Sequence, residues 1–161
     1  MSAHRVLLVE DEGLIAADIA GRLEALGHVV VGTASTAEEA FTQAGSADIV
    51  LMDIRIDGPI DGIEAAIQIR ERYHLPVVFL SAQTDRSTLE RAMLASPYGY
   101  IIKPATLASL QTTIEIAIYK HRMERQLESS EAWLRAALSS VADAVIVTDP
   151  QGTIRTLNPA A

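Results

Sequence analysis

The sequence predicts an α/β fold: a doubly wound parallel sheet with helices on both faces and an extended C-terminal helix. Three observations carry this. Short unbroken apolar runs recur at Val6–Val9, Val29–Val31, Ile49–Met52, Val77–Leu80 and Tyr100–Ile102, the pattern of strands buried on both faces. The stretches between them carry apolar residues at helical spacing and short connections, so strand and helix alternate five times, which builds a parallel sheet covered on both sides. Four of the runs end on groups able to do chemistry: Glu10-Asp11, Asp53, Ser81 and Lys103.

Each element has a local reason. After the first run, Leu14, Ile15, Ile19, Leu23 and Leu26 recur at helical spacing and Gly27 stops the helix. Thr36 with Glu39 three residues later forms a capping-box pattern for a helix through Ala44. Ile63, Ala66, Ile67 and Ile69 mark a third helix after a loop containing Gly58-Pro59. Pro76 opens the fourth strand, Ser87–Leu94 forms a short helix, and a final helix starts near Thr106. In such open sheets the ligand lies beyond the carboxyl ends of the strands, at the switch point in strand order. Glu10, Asp11, Asp53, Ser81 and Lys103 are therefore expected on one edge.

The 161 residues suffice for one core of ordinary size plus an appendage. With 49% hydrophobic and 21% charged residues the chain reads as globular rather than disordered. No apolar run approaches the length of a membrane span, and no targeting segment is read at the N-terminus. A cytoplasmic location is the default expectation, with no membrane partner. The absence of cysteine excludes disulfides, thiolate zinc sites and a cysteine nucleophile. A net charge of −8 repels nucleic acid unless cations cluster. The nearest cluster, Lys120, His121, Arg122 and Arg125, alternates with Glu124 and Glu128 and reads as a solvated helix face.

Carboxylates gathered on one edge repel one another and favour a hard divalent cation, and oxygen ligands suit Mg²⁺. Lys103 adds a positive charge that can meet a phosphoryl oxygen, and Ser81 a hydroxyl that can meet another. A carboxylate nucleophile, a metal, an ammonium and a hydroxyl make a phosphoryl-transfer site, which works by positioning and charge neutralisation. Asp53, on the central strand, is the expected nucleophile. Each part alone is commonplace: a strand-end Asp or Ser is most often a helix cap, and a lysine before proline is usually a surface lysine. The signal is the conjunction within one α/β frame.

The motifs Leu8-Val9-Glu10-Asp11-Glu12, Met52-Asp53, Leu80-Ser81-Ala82 and Tyr100-Ile101-Ile102-Lys103-Pro104 resemble those of response-regulator receiver domains, over residues 4 to about 120. The resemblance implies a flavodoxin-like five-stranded sheet of order 2-1-3-4-5. It implies a phospho-donor histidine kinase or phosphotransfer protein as partner, and Mg²⁺ held by Glu10, Asp11, Asp53 and the backbone carbonyl of Arg55. It places Tyr100 at the aromatic switch position, which turns inward as Ser81 closes on the phosphoryl group, altering the face made by the fourth helix, fifth strand and last helix. It also implies a cis Lys103–Pro104 bond. Two departures stand out. The loop from Asp53 to Asp61-Gly62 is one residue longer than the common spacing, with Gly58 expected to absorb it. Arg55 and Gln83 occupy the variable positions beside the phosphoryl site, and Arg55 could pair with the phosphoryl group or point to solvent.

Beyond Thr106, no Gly or Pro interrupts the chain to about Ser140. Ile116, Lys120, Met123, Leu127, Ser130, Leu134, Ala137 and Val141 fall on alternating four-three spacing, a coiled-coil seam weakened by Lys120 and Ser130 and consistent with a parallel homodimer. Alternatively, its first half packs on the sheet and its second belongs to another domain. Trp133-Leu134, Val141–Asp149, Gln151-Gly152 and Asn158-Pro159-Ala160-Ala161 resemble the entrance of a PAS sensor domain, of which only the first part is present. The expected layout is a receiver at 1–120, a linking helix at 121–140 and a PAS start at 141–161. His121 lacks the acidic neighbour and following proline of a phosphoacceptor histidine motif. The function expected is phosphorelay signalling relayed through the C-terminal helix, with no turnover beyond self-phosphorylation and autodephosphorylation. Two rivals are a Mg²⁺-dependent phosphatase, for which no second acid/base is found near Asp53, and a pseudo-receiver scaffold, against which Asp53 and Lys103 argue.

Overall fold

The computed structural model describes residues 2–82, 86–140 and 144–158. Strands β1 (Arg5–Val9), β2 (Val29–Ala34), β3 (Ile49–Asp53), β4 (Val77–Ser81) and β5 (Gly99–Ile102) form one sheet in the order β2-β1-β3-β4-β5, parallel throughout. Helices α1 (Gly13–Ala25), α2 (Ala37–Gln43), α3 (Gly62–Tyr73), α4 (Arg86–Leu94) and α5 (Leu107–Ser140) connect the strands or follow them. This is the flavodoxin-like topology, with its long C-terminal helix.

The continuous apolar runs become strands buried on both faces, and period-two alternation sorts them. Leu7, Val9, Val50, Met52, Val77 and Phe79 point to one side, against α2, α3 and Ala92 of α4. Val6, Leu8, Ile49, Leu51, Val78, Leu80 and Ile101 point to the other, against Ile19 and Leu23 of α1 and Leu110, Ile114 and Ala117 of α5. Full burial of such side chains stabilises by about 1.5–3 kcal/mol each. The sheet register is thus fixed, because a one-residue slip would exchange the two faces.

Some local expectations are corrected. Leu14 does not join the core: it is 90% exposed in the first turn of α1, while Ile15 beside it packs against the core. In α3 the buried positions are Gly62, Ile63, Ala65, Ala66 and Ile69, while Ile67 is exposed. Strand β2 runs on to Ala34; Gly32 and Thr33 hid this by breaking the apolar run. Helix α2 ends at Gln43 and tightens into a 3₁₀ turn at Ala44–Ser46. Thr36 does cap α2, accepting the Glu39 amide at 3.3 Å, but Glu39 reaches back to the Ser35 amide at 2.8 Å, one residue before the cap. Lys120 and His121 are not simply solvated: Lys120 Nζ lies 5.5 Å from the Tyr98 ring centroid, and His121 Nδ1 is 3.3 Å from the Tyr98 hydroxyl.

The chain divides into two compact units, Met1–His121 and Arg122–Ala161. In the second, β6 (Ile146–Thr148) and β7 (Ile154–Leu157) form an antiparallel hairpin. Asp149 organises its turn, accepting the Gln151 and Thr153 amides and pairing with Arg155 at 2.9 Å. Asn158, 5% exposed, accepts the Val145 amide at 2.8 Å and donates to the Leu138 carbonyl at 3.2 Å, tying the hairpin to the last turns of α5. Gln83, Val141 and the Pro159-Ala160-Ala161 end of the Asn-Pro-Ala motif lie outside the described residues.

At the opposite end of the sheet from the strand termini of interest, buried His28 accepts the His4 amide at Nδ1 (3.3 Å) and stacks on the His4 ring. Burial, with His4 nearby, pushes the His28 pKa down, and Glu115 only partly offsets this. Above the unfolded value of about 6.5 His28 is neutral in both states. As pH falls through that value the unfolded chain takes up the proton first, so stability drops until the folded pKa is passed. The denaturant midpoint is expected to fall as pH drops below about 7, and more steeply in the wild type than in His28→Gln. Parallel profiles from equilibrium urea unfolding would remove His28 as the cause.

Candidate functional site

Parallel pairing with β1, β3 and β4 in near-common register brings their carboxyl ends together: Val9 lies beside Met52, Asp53 beside Leu80, and Ser81 beside Ile102. The residues that follow these strands therefore meet. Asp11, Asp53, Arg55, Ser81 and Lys103 line one cavity of about 280 Å³ with Glu12, Ile54 and Ala82.

Its centre is a charge arrangement. Lys103 Nζ lies 2.5 Å from Asp53 Oδ2 and 2.5 Å from Glu10 Oε2. The Glu10 side chain is fully buried and that of Asp53 is 8% exposed. Burial pushes the Glu10 carboxyl above its usual range, with the Asp53 charge adding to the effect against the pull of Lys103 and the Glu12 amide. Burial works to lower the Lys103 pKa, but its contacts with Asp53 and Glu10 outweigh it and hold the ammonium above its ordinary value. The Glu12 amide binds Glu10 Oε1 at 3.2 Å and the Arg55 amide binds Asp53 Oδ1 at 3.1 Å, so local backbone turns aim both carboxylates.

Glu10, Asp11 and Asp53 each offer an oxygen within 4.8 Å of the other two. Glu10 Oε2 makes no hydrogen bond among the described residues and meets only the Lys103 charge. This oxygen-only, anionic, partly open donor set fits a hard divalent cation that retains water ligands.

The other expected residues are placed as follows. Ser81 is buried at the end of β4 and lines the cavity, with its hydroxyl donating to the Ala82 carbonyl at 2.5 Å rather than to Asp53. Tyr100 is half-buried against the core face formed with α2, α3 and α4. Arg55 lines the cavity as an exposed residue. The Lys103–Pro104 bond is cis. Gly58, at φ 111°, accommodates the longer loop in a backbone conformation favourable to glycine.

One positioning residue was not legible. A Cβ on Gly62 would meet the Asp53 carbonyl oxygen at 1.8 Å, and Gly62 N donates to the Ile54 carbonyl at 3.0 Å. The first turn of α3 thus sits directly against the backbone of Asp53. Asp61-Gly62 reads in sequence as a helix start; only the three-dimensional return of the loop reveals the close approach.

The comparisons with known proteins agree with this geometry. The sequence model of the family described as response regulator receiver domain matches residues 6–115. The chain belongs to that family. It is 36% identical over 139 residues to the transcriptional regulatory protein PdtaR of Mycobacterium tuberculosis, covering 85% of this chain and 67% of PdtaR. It is 32% identical to the phyllosphere-induced regulator PhyR of Methylorubrum extorquens, covering 81% of this chain but only 49% of that protein. Among solved structures, the signal receiver domain of a modulated diguanylate cyclase from Desulfovibrio desulfuricans superposes with a TM-score of 0.73 at 38% identity, over 76% of this chain and 99% of that one. The N-terminal domain of a response regulator/sensory box/GGDEF three-domain protein from Carboxydothermus hydrogenoformans gives 0.66 at 34% identity, over 74% and 98%. Among the described residues no helix is long and apolar enough to cross a membrane.

Gly62→Ala is expected to cost about 1–3 kcal/mol, because the nearest atom to its Cβ is rigid backbone. Gly21→Ala, in the interior of α1 with nothing within 4 Å, is expected to stabilise by roughly 0.5–1 kcal/mol. Equal denaturant midpoints for the two variants would contradict the close approach.

Proposed function

We propose that this receiver domain is a phosphoacceptor switch in which Asp53 takes a phosphoryl group from a histidine kinase or phosphotransfer protein. The observation that carries the reading is Lys103 Nζ at 2.5 Å from both Asp53 and Glu10. An Asp53 oxygen attacks phosphorus, the bond to the donor imidazole breaks, and that imidazole leaves with the electron pair. The product is an acyl phosphate. Lys103 is placed to follow the new charge, exchanging carboxylate contacts for a phosphoryl oxygen. Glu10, Asp11 and Asp53, with the Arg55 backbone carbonyl, would hold Mg²⁺, which when bound neutralises phosphoryl charge.

Ser81 and Tyr100 form the readout. The phosphoryl group brings acceptor oxygens that reward turning the Ser81 hydroxyl away from the Ala82 carbonyl and into the pocket. The Tyr100 ring then moves inward, and the α4–β5–α5 face changes.

The same reading assigns residues 1–120 to the receiver, 121–140 to a signalling helix and 141–161 to the start of a PAS domain. Exposed Ile116, Met123, Leu127 and Leu134 follow the four-three spacing on α5, which suits a parallel homodimer. Lys120, engaged with the Tyr98 ring, would not serve as a seam residue. The hairpin after the helix, and its Asn158 tie to Leu138, support a second domain that receives the helix signal; a two-stranded hairpin alone is marginal in water.

Two experiments test these readings. With a small phosphodonor and Mg²⁺, the wild type is expected to gain one base-labile phosphate per chain and Asp53→Asn none. Labelling of the variant at the wild-type rate would refute the acceptor. Leu127→Glu would place like charges across the seam and is expected to convert a dimer to a monomer in sedimentation. A wild-type monomer at about 50 µM, well above micromolar interface affinities, would exclude the seam.

A further inference from the structure

Asp61 has two partners. Its Oδ1 accepts the Glu64 amide at 3.0 Å, capping α3, and its Oδ2 accepts a hydrogen bond from Arg91 Nη2 on α4 at 2.6 Å. Burial pushes the Asp61 carboxyl upward, but the Glu64 amide and Arg91 outweigh it and hold it below the usual carboxylate range. Asp61 is thus an anion at neutral pH. The residue after it, Gly62, is the one that abuts the Asp53 carbonyl. A contiguous chain of contacts therefore runs from Arg91 through Asp61 and Gly62 to the backbone of Asp53. It approaches Asp53 from α3, on a path separate from Ser81 and Tyr100.

The pair is well placed to respond to movement of α4. Arg91 and Asp61 are 30 residues apart in sequence, Arg91 on α4 and Asp61 capping α3, so their contact exists only while α4 keeps its position against α3. A second ion pair on the same helix, Arg86–Glu90 at 2.9 Å, lies wholly within α4 and would be unaffected by such movement. It serves as an internal control.

We propose that Arg91 is a positioning residue for phosphoryl acceptance at Asp53, acting through Asp61 to hold the first turn of α3 against the acceptor backbone. The inference rests on the reading of Asp53 as acceptor. By thermodynamic linkage the coupling is reciprocal: a protein partner that docks on α4 and captures Arg91 changes the equilibrium of phosphorylation, and phosphorylation changes that partner's affinity. Arg91 and Asp61 are both partly exposed, so the expected effect is modest, about two- to fivefold.

The test uses the full chain with acetyl phosphate and Mg²⁺, comparing initial rates of acyl-phosphate formation. The set is wild type, Arg91→Gln, Asp61→Asn, the double variant and Arg86→Gln. Asp61→Asn keeps the oxygen that caps α3 and removes only the charge. Each single variant is expected to slow the reaction about two- to fivefold, and the double variant no further. Arg86→Gln should match the wild type. The wild-type rate should fall more steeply with added salt than that of either variant, because salt screens exposed charges; a purely structural role would leave these salt profiles parallel. Wild-type rates in the variants, additive losses in the double variant or parallel salt profiles would overturn the proposal. If the wild type itself gains no acyl phosphate, the acceptor reading fails and this inference with it.

Discussion

The structure depends on one electrostatic compromise: a lysine ammonium held between two buried carboxylates at the carboxyl edge of the sheet. Glu10 and Asp53 lie almost out of solvent, where an unpaired charge is costly. Lys103 offsets both at once, and each carboxylate in turn offsets the burial of the lysine. The compromise is not closed, however. Glu10 Oε2 has the lysine charge but no hydrogen bond among the described residues, and Asp11 stands alongside with a free approach to the cavity. Such a site carries an excess of negative charge that a divalent cation would offset.

The rest of the fold serves to hold that arrangement. The strand order places β1 and β3 side by side, so Glu10 and Asp53 leave the sheet as neighbours. β4 and β5 follow on the other side of β3, bringing Ser81 and then Lys103. The two apolar faces of the sheet are covered by different helices, which resists a slip of register that would scatter these ends. Gly62 adds a local constraint, fixing α3 against the backbone of Asp53. Rigidity of this kind matters because phosphoryl transfer rests on positioning more than on covalent help from the protein.

Most of this was legible in the sequence because parallel strands buried on both faces write themselves as unbroken apolar runs, and because the functional groups sit immediately after those runs. Where the sequence misled, the causes are specific. Leu14 has the spacing of a core residue but lies at the helix start, facing solvent. Gly32 and Thr33 ended the apparent second strand early although the backbone continues in the sheet. The role of Gly62, the Asp61–Arg91 contact and the Tyr98 contacts with Lys120 and His121 all join residues far apart in the chain. Periodicity cannot report them, because they depend on how loops return and which helices become neighbours. The Ser81 hydroxyl is a subtler case: the residue was expected in the cavity and lines it, yet its rotamer faces Ala82, a detail no residue type encodes.

Of the two carboxylates that Lys103 touches, Asp53 and not Glu10 is the one proposed to become phosphorylated. Reductive trapping tests it most directly. After incubation with acetyl phosphate and Mg²⁺, borohydride cleaves an aspartyl phosphate to the alcohol, and peptide mass spectrometry locates the altered residue. Homoserine is expected at position 53 and nowhere else. Homoserine at position 11, or an unmodified Asp53 in a chain that has taken up phosphate, would contradict it.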